Sequence, residues 1–229
     1  MFNVSELEKS INYSFNDKAL LVNAMCHSSY SNEHKECASN ERLEFLGDAI
    51  LDMVVSERLY DMHRGVDEGV LSKMRASIVR EESLAVLAKT IKLNEYILLG
   101  NSEHMAAGNE RASVLSDCFE ALVAAIFIDG GFNAAKGWLD AVIKSEIYQR
   151  PELLYCDFKT VLQEYLQKQH KNVRYIVVKE SGPDHEKCYE VDAMVGNECA
   201  GHGVNKTKKH AEQDAAKDAL KKYGVKVCF

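Results

Sequence analysis

The chain has 229 residues and a formal net charge of −7. Its length and its hydrophobic content of 46% allow a sizeable core in one or two domains. Its longest unbroken apolar run, ALVAAIFI at 121–128, is shorter than the about 20 residues of a membrane span. MFNVSELEKS lacks the basic and apolar regions of a signal peptide, and the seven cysteines form no CxxC pair. The sequence therefore predicts a cytoplasmic protein with free thiols, and argues against a disulfide framework, a zinc site and a membrane protein.

Residues 1 to about 148 have the pattern of successive helices. Apolar residues recur at spacings of three and four in three stretches, 41–61, 70–90 and 113–128. Gly130-Gly131 predicts the end of a helix. We therefore predict a mainly α domain over this part of the chain.

A break at Arg150-Pro151 separates this part from the rest. We place the first domain at 1–149, a linker at 150–156 and a second, smaller domain at 157–226. Residues 156–229 carry a net charge of +2 and residues 1–155 a net charge of −9. Such asymmetry often separates a domain that binds a polyanion from one that holds cations.

The second domain has a different order of elements. A helix is predicted at 157–169, three short strands at 173–180, 187–195 and 198–203, and a final helix at 206–224. The order α-β-β-β-α indicates a small α+β domain.

Carboxylates share one face of the first long helix, in NERLEFLGDAIL. At 100° per residue, Glu41, Glu44 and Asp48 fall within about 60° of one another. The opposite side carries an apolar stripe that contains Gly47, where the missing side chain permits close approach of another helix. The residues of that stripe are Leu43, Leu46, Ile50, Leu51 and Val54.

The helix in SVLSDCFEALVAAIFID repeats this arrangement. Asp117 and Glu120 are three residues apart and share a side, while larger apolar residues lie on the other. Ala121 and Ala124 flank the acids, which predicts a small and open face.

Two explanations of the acidic faces are open. Charged helix faces usually point to water, which favours a solvated surface. Against this, basic partners four residues away are missing, and like charges at 4 Å repel by about 1 kcal/mol even in water. A bound divalent cation offsets that repulsion, and carboxylate oxygens favour Mg²⁺ or Mn²⁺.

Four stretches of the first domain, together with the second domain, resemble the ribonuclease III family. NERLEFLGDAIL resembles the family signature, MCHSSYSNE (25–33) an upstream block, and EGVLSKMRASIVREESLAVLA (68–88) the next block. LGNSEHMAAGNERASVLSDCFEALVAAIFIDGG (99–131) resembles the second catalytic helix with its preceding loop. The C-terminal α-β-β-β-α unit is similar to a double-stranded-RNA-binding domain.

The resemblance implies roles for the acids. By position, Glu44, Asp48, Asp117 and Glu120 match the family's metal ligands, and Glu41 and Glu68 match two further acids near the scissile strand. Phe45 matches an aromatic residue at the family's dimer interface, although packing in the core explains it equally well. His27 is expected to be a structural histidine.

The resemblance also implies an activity, namely Mg²⁺-dependent hydrolysis of both strands of double-stranded RNA by a homodimer. The products would carry 5′-phosphate and 3′-hydroxyl ends with short 3′ overhangs, and the substrates would be ribosomal RNA precursors and structured messenger RNAs. Spacing leaves open whether one or two ions act. The alternative is a double-stranded-RNA-binding regulator that does not cut, although such a relative should have lost at least one acid.

Several polar residues of the second domain suit an RNA duplex. Phosphates would meet the lysines at the start of the last helix, and minor-groove hydroxyls the polar groups of the first helix. The RNA-binding residues that we predict are Thr160, Gln163, Glu164, His185, Lys206, Lys208 and Lys209. The chain has Gly201, Gly203 and Asn205 where the family often has three glycines, and we expect Asn205 to keep the turn through its tolerance of left-handed angles.

Overall fold

The structure, a computed structural model, describes residues 3–144, 147–148, 157–182 and 187–225. The chain divides into two compact units, Met1–Tyr155 and Cys156–Phe229. The linker that we predicted at 150–156 lies outside the described residues, so the domain limits stay predictions. The fold class is confirmed, because the first unit is helical and the second combines a three-stranded sheet with helices.

The first unit is built from helices joined by short loops. They are α1 (Val4–Ile11), α2 (Lys18–Ala24), α3 (Ser28–Glu33), α4 (Glu41–Met62), α5 (Glu68–Val79), α6 (Glu81–Thr90), α7 (Asn101–Met105) and α8 (Ala112–Val142), with 3₁₀ turns at Leu93–Glu95 and Gly108–Glu110.

Helix α8 forms the centre of this unit, and α2, α4 and α6 pack against it. α4 contributes a buried stripe that includes Ile50, Leu51 and Val54, as its sequence predicted. Gly47 lies where α4 meets α8, and a Cβ atom there would come within 1.8 Å of the Glu120 carbonyl oxygen. The backbones of the two helices therefore approach more closely than any side chain at position 47 would allow.

One expectation for α8 was wrong. Ala121 and Ala124 do not leave an open face, because both are fully buried. The reason is that neighbouring helices cover α8 on several sides, so that small residues serve close packing rather than access.

Two breaks modify the predicted helices. The stretch 70–90 divides at Arg80, whose extended backbone (φ −67°, ψ 152°) separates α5 from α6. Gly131 interrupts α8 with φ 78° and ψ 179°, but the helix resumes and continues to Val142. Glycine alone adopts that conformation readily, so the first helical segment of α8 ends at Gly130-Gly131, as predicted, and a second segment follows across the kink.

The second unit contains α9 (Phe158–Gln167), β1 (Val173–Ser181), β2 (Cys188–Val195), β3 (Glu198–Asn205) and α10 (Lys208–Lys222). The strands form an antiparallel sheet in the order β1-β2-β3. Its core joins apolar residues of α9 and the sheet to the alanine-rich side of α10.

Glycines of β3 set the distance between the sheet and α10. A Cβ atom at Gly201 or Gly203 would come within 2.2 Å of a carbonyl oxygen of α10. Asn205 is not in a left-handed conformation, so the reason we gave for its tolerance was wrong. Its side chain instead closes the turn, donating to Asp214 (2.9 Å) and accepting from the Lys206 amide (2.8 Å).

Two further observations concern the composition of the chain. Among the described residues, we find no helix with the length and apolar character that crossing a membrane requires. The cysteines that the structure describes are free thiols, as predicted, and they are Cys26, Cys37, Cys118, Cys188 and Cys199.

Candidate metal centre and nucleic-acid interface

Three carboxylates from two helices converge in the first unit. Glu44 comes from α4, and Asp117 and Glu120 come from α8. One oxygen of each lies within 4.8 Å of the others, and all three side chains are partly buried. The close approach at Gly47 brings the helices near enough for this convergence. The arrangement offers hard oxygen ligands from a rigid frame, which suits Mg²⁺ or Mn²⁺.

The electrostatics of the cluster also favour a cation. Burial, followed by the charges of Asp48, Asp117 and Glu44, raises the pKa of Glu120 to about 8. Burial and then the Asp117 charge raise the pKa of Glu44. Burial likewise raises the pKa of Asp117, although a hydrogen bond from Ser116 opposes this. Carboxylates that resist ionisation together are stabilised when a divalent ion shares their charge.

The other predicted acids differ in their distance from this centre. Asp48 and Glu41 are exposed, and both act electrostatically on Glu44. Asp48 lies outside the group of three oxygens, at the rim of the centre. Glu68, the exposed first residue of α5, accepts a hydrogen bond from Ser72 (2.7 Å) and is not among the charges that raise the pKa of Glu44. The structure of the single chain therefore does not bring Glu68 into the centre.

The environments of His27 and Phe45 indicate what each side chain does. The His27 ring accepts a hydrogen bond from the Ser29 amide (3.2 Å) and so caps α3, which is a structural role. Phe45 is 82% exposed, so packing in the core of this unit does not explain it.

Asn40 is a residue that the sequence analysis missed. Its position before α4 is typical of a helix cap, yet its side chain makes no capping bond and is 2% exposed. It donates to the Ala24 carbonyl (3.3 Å) and to the Cys118 sulfur (3.4 Å). The only signal in the sequence was its place at the start of NERLEFLGDAIL.

The second unit presents its predicted RNA-binding residues to solvent. Lys206, Lys208 and Lys209 are exposed at the start of α10, which Thr207 caps by accepting from the His210 amide. Thr160, Gln163 and Glu164 are exposed on α9. His185 lies outside the described residues.

An acidic cluster in a helical unit, joined in one chain to an α-β-β-β-α unit, fits the class of RNA-cleaving enzyme that the sequence resembles. Comparison with known families agrees. The ribonuclease-III-like family model matches residues 17–150, and the double-stranded RNA binding motif matches residues 158–223. The chain belongs to the ribonuclease III family and is an endoribonuclease with a double-stranded-RNA-binding domain.

Individual relatives cover almost the whole chain. Ribonuclease 3 of Caldanaerobacter subterraneus subsp. tengcongensis is 44% identical over 96% of this chain and 97% of its own length. Ribonuclease 3 of Streptococcus mutans is 44% identical over 91% of each chain. A solved nuclease domain of ribonuclease III from Campylobacter jejuni, described for structural flexibility in a region involved in dimer formation, has a TM-score of 0.59 and 40% identity. It covers 67% of this chain and 99% of the solved chain.

Proposed function

We propose that the protein is a Mg²⁺-dependent endoribonuclease that hydrolyses phosphodiester bonds in both strands of double-stranded RNA. Mn²⁺ can replace Mg²⁺, since both prefer oxygen ligands. The products carry 5′-phosphate and 3′-hydroxyl ends with short 3′ overhangs. The observation that carries the proposal is the convergence of Glu44, Asp117 and Glu120 within 4.8 Å in a chain that also has a double-stranded-RNA-binding domain.

The acids divide into those that hold the ion and those that act around it. Glu44, Asp117 and Glu120 hold it directly or through its waters, and Asp48 contributes from the rim. The charge of Glu41 raises the pKa of Glu44. We assign Glu68 a role near the scissile strand. An ion held by these residues would supply activation of a water and neutralisation of charge on the attacked phosphate.

RNA is held mainly by the second unit. Lys206, Lys208 and Lys209 contact phosphates at the start of α10, where the helix dipole adds to their positive charge. Thr160, Gln163 and Glu164, with His185, contact minor-groove hydroxyls. Because such contacts read the shape of the duplex, sequence preference is weak.

Cleavage of both strands requires two centres. We propose that two copies of the first unit form a homodimer, since one cluster can cut one strand. The exposed ring of Phe45 supports this, because water exposure of a phenyl ring is unfavourable unless a partner covers it. We place the enzyme in the cytoplasm, where ribosomal RNA precursors and structured messenger RNAs are its substrates.

Incubating wild-type protein and Glu120→Gln with long duplex RNA tests the proposal. The wild type should shorten the RNA in Mg²⁺ and leave it intact in EDTA. Glu120→Gln should cut more slowly, on the order of 10³-fold, because it removes a ligand charge. The control variant Glu95→Gln, at an exposed glutamate, should cut at the wild-type rate.

Binding is measured alongside cleavage, by gel shift of a labelled duplex in Ca²⁺ or EDTA. Glu120→Gln should bind almost as the wild type does, and a loss of binding would assign Glu120 a structural role. RNA that the wild type binds but leaves intact in Mg²⁺ would favour the non-cutting regulator instead.

A further inference from the structure

Asn40 is one of very few polar side chains buried in the described part of the first unit. It lies immediately before α4, the helix of Glu44, and is 2% exposed. A buried amide is retained only when its polar atoms find partners, because their separation from water is unfavourable. Its partners therefore indicate what it does.

Those partners join three segments of the chain. The Asn40 amide N–H donates to the Cys26 carbonyl (2.8 Å). The side-chain Nδ2 donates to the Ala24 carbonyl (3.3 Å), in the segment that ends α2. The same Nδ2 donates to the sulfur of Cys118 (3.4 Å), the residue that follows Asp117 in α8. Asn40 thus connects the start of one acidic helix to the other.

The contact at Asn40 has a counterpart further along α4. The Asn40 carbonyl accepts from the Glu44 amide (2.9 Å), so it belongs to the turn that carries Glu44. At the other end of that stretch, Gly47 lies against the Glu120 carbonyl. Glu44 is therefore bracketed by two contacts between α4 and α8, each beside an acid of α8. A helix held at two points can neither slide nor turn freely.

We propose that Asn40 is a positioning residue for the metal centre, and that its buried amide fixes the start of α4 against α8 so that Glu44 meets Asp117 and Glu120. This inference rests on the proposed function, since it concerns the same centre. An N–H···S bond is weak, so we expect Asn40 to act by fixing the position of α4 and not through the strength of this hydrogen bond. Metal ligands tolerate displacements of only about 0.2 Å, and loss of a residue that orients them typically lowers affinity about 10- to 100-fold.

The test compares Asn40→Ala with Asn23→Ala. Asn23 is a matched control, because its side chain donates to the Ala38 (2.7 Å) and Ser39 (3.1 Å) carbonyls and so secures the same loop without reaching α8 by these bonds. Mn²⁺ binding to each full-length protein without RNA is measured by calorimetry or by the electron paramagnetic resonance of free Mn²⁺. Asn40→Ala should bind Mn²⁺ about 10-fold more weakly than the wild type. Asn23→Ala should bind with nearly wild-type affinity, even where thermal unfolding shows a similar loss of stability.

Variants at the acceptor test the connection itself. Cys118→Ser keeps a hydrogen-bond acceptor and should retain Mn²⁺ affinity, whereas Cys118→Ala removes it and should lower the affinity. Because Asn40 acts partly through residue 118, the double variant of Asn40→Ala and Cys118→Ala should bind no more weakly than Asn40→Ala alone. If Asn40→Ala does not fold, the comparison of Cys118→Ala with Cys118→Ser decides the question.

The outcomes separate this inference from the proposed function. Wild-type protein that binds no Mn²⁺ would overturn the metal centre itself. Wild-type binding that Asn40→Ala or Cys118→Ala leaves unchanged would overturn the positioning role alone. Equal losses of affinity in Asn40→Ala and Asn23→Ala would show that Asn40 acts only through general stability.

Discussion

At the residue scale, Glu120 shows how burial and charge act on one group. Its pKa of about 8 means that this carboxyl keeps its proton at neutral pH in the metal-free protein. The raised pKa also affects stability, because the folded state binds the proton more tightly than the unfolded state does. Metal-free protein should therefore lose stability as the pH rises from the unfolded pKa, near 4.5, through about 8.

This pH dependence should be absent from Glu120→Gln, whose side chain stays neutral. In EDTA at about pH 8, the variant should be more stable than the wild type by about 1 kcal/mol after allowance for solvent screening, or about 2–4 °C in Tm. Thermal unfolding in EDTA from about pH 5 to 9 measures this difference. Parallel curves for the two proteins would contradict the assigned pKa.

The sequence predicted the acidic residues more completely than the residues that position them. The angular spacing of a helix is fixed by its backbone, so the sequence indicated Glu41, Glu44 and Asp48 on one face and Asp117 and Glu120 on another. The structure groups Glu44, Asp117 and Glu120 of these. Asn40 was missed, since an asparagine before a helix usually indicates a cap. Whether its side chain points into the core depends on the positions of α2 and α8, which the sequence of α4 does not determine.

At the element scale, contacts between backbones fix the positions of the helices and the sheet. The role of Gly47 was predicted from its place in the apolar stripe of α4. The close approach of the sheet to α10 at Gly201 and Gly203 was not predicted, because glycines at alternate positions of a strand can serve a turn as well as close packing. The break at Arg80 was also missed, since neither glycine nor proline marks it.

Gly47→Ala should separate α4 from α8. The added Cβ atom would overlap the Glu120 carbonyl oxygen at 1.8 Å, so the helices must move apart. We expect a loss of about 3 kcal/mol in the free energy of unfolding, together with weaker Mn²⁺ binding. Urea unfolding and calorimetry measure the two effects. Gly137→Ala in α8 is the control, since nothing lies within 4 Å of its Cβ position, and it should be neutral or slightly stabilising.

Helix α10 provides two lysine pairs at opposite ends. Replacing Lys208 and Lys209 with alanine should weaken duplex binding and lower the slope of log affinity against log salt by about 2. The control replaces Lys221 and Lys222 in the last turn, which changes the charge equally. Binding titrations of labelled duplex RNA at several salt concentrations compare the pairs. Equal slopes for the two variants would contradict an interface at the start of α10.

At the scale of the whole molecule, the sequence divides its charge between the two units. Net charges of −9 before residue 156 and +2 from there onwards indicated separate tasks for cation binding and polyanion binding. The dimer was predicted only through the family resemblance, because an aromatic residue in a helix usually belongs to the core. The exposure of Phe45 excludes packing in the core of the first unit, and this exposure is evident only once the helices are placed.

Phe45→Glu should prevent the proposed dimer, because a charge would be buried between the subunits. Analytical ultracentrifugation or light scattering should show a dimer for the wild type and a monomer for the variant. Met105→Glu is the control, since Met105 is 88% exposed on α7. It should remain dimeric. A dimeric Phe45→Glu protein would place the interface elsewhere.

Phe45 directly follows Glu44 in α4, so the dimer surface that we propose would adjoin a residue of the candidate metal centre. Cleavage of both RNA strands and binding of RNA would then depend differently on the concentration of the protein. At low abundance, single chains would still hold a duplex through their lysines, but each would bring one metal centre and could cut one strand only. The quantity of enzyme in the cell would thus decide whether a given duplex is cut through or only nicked.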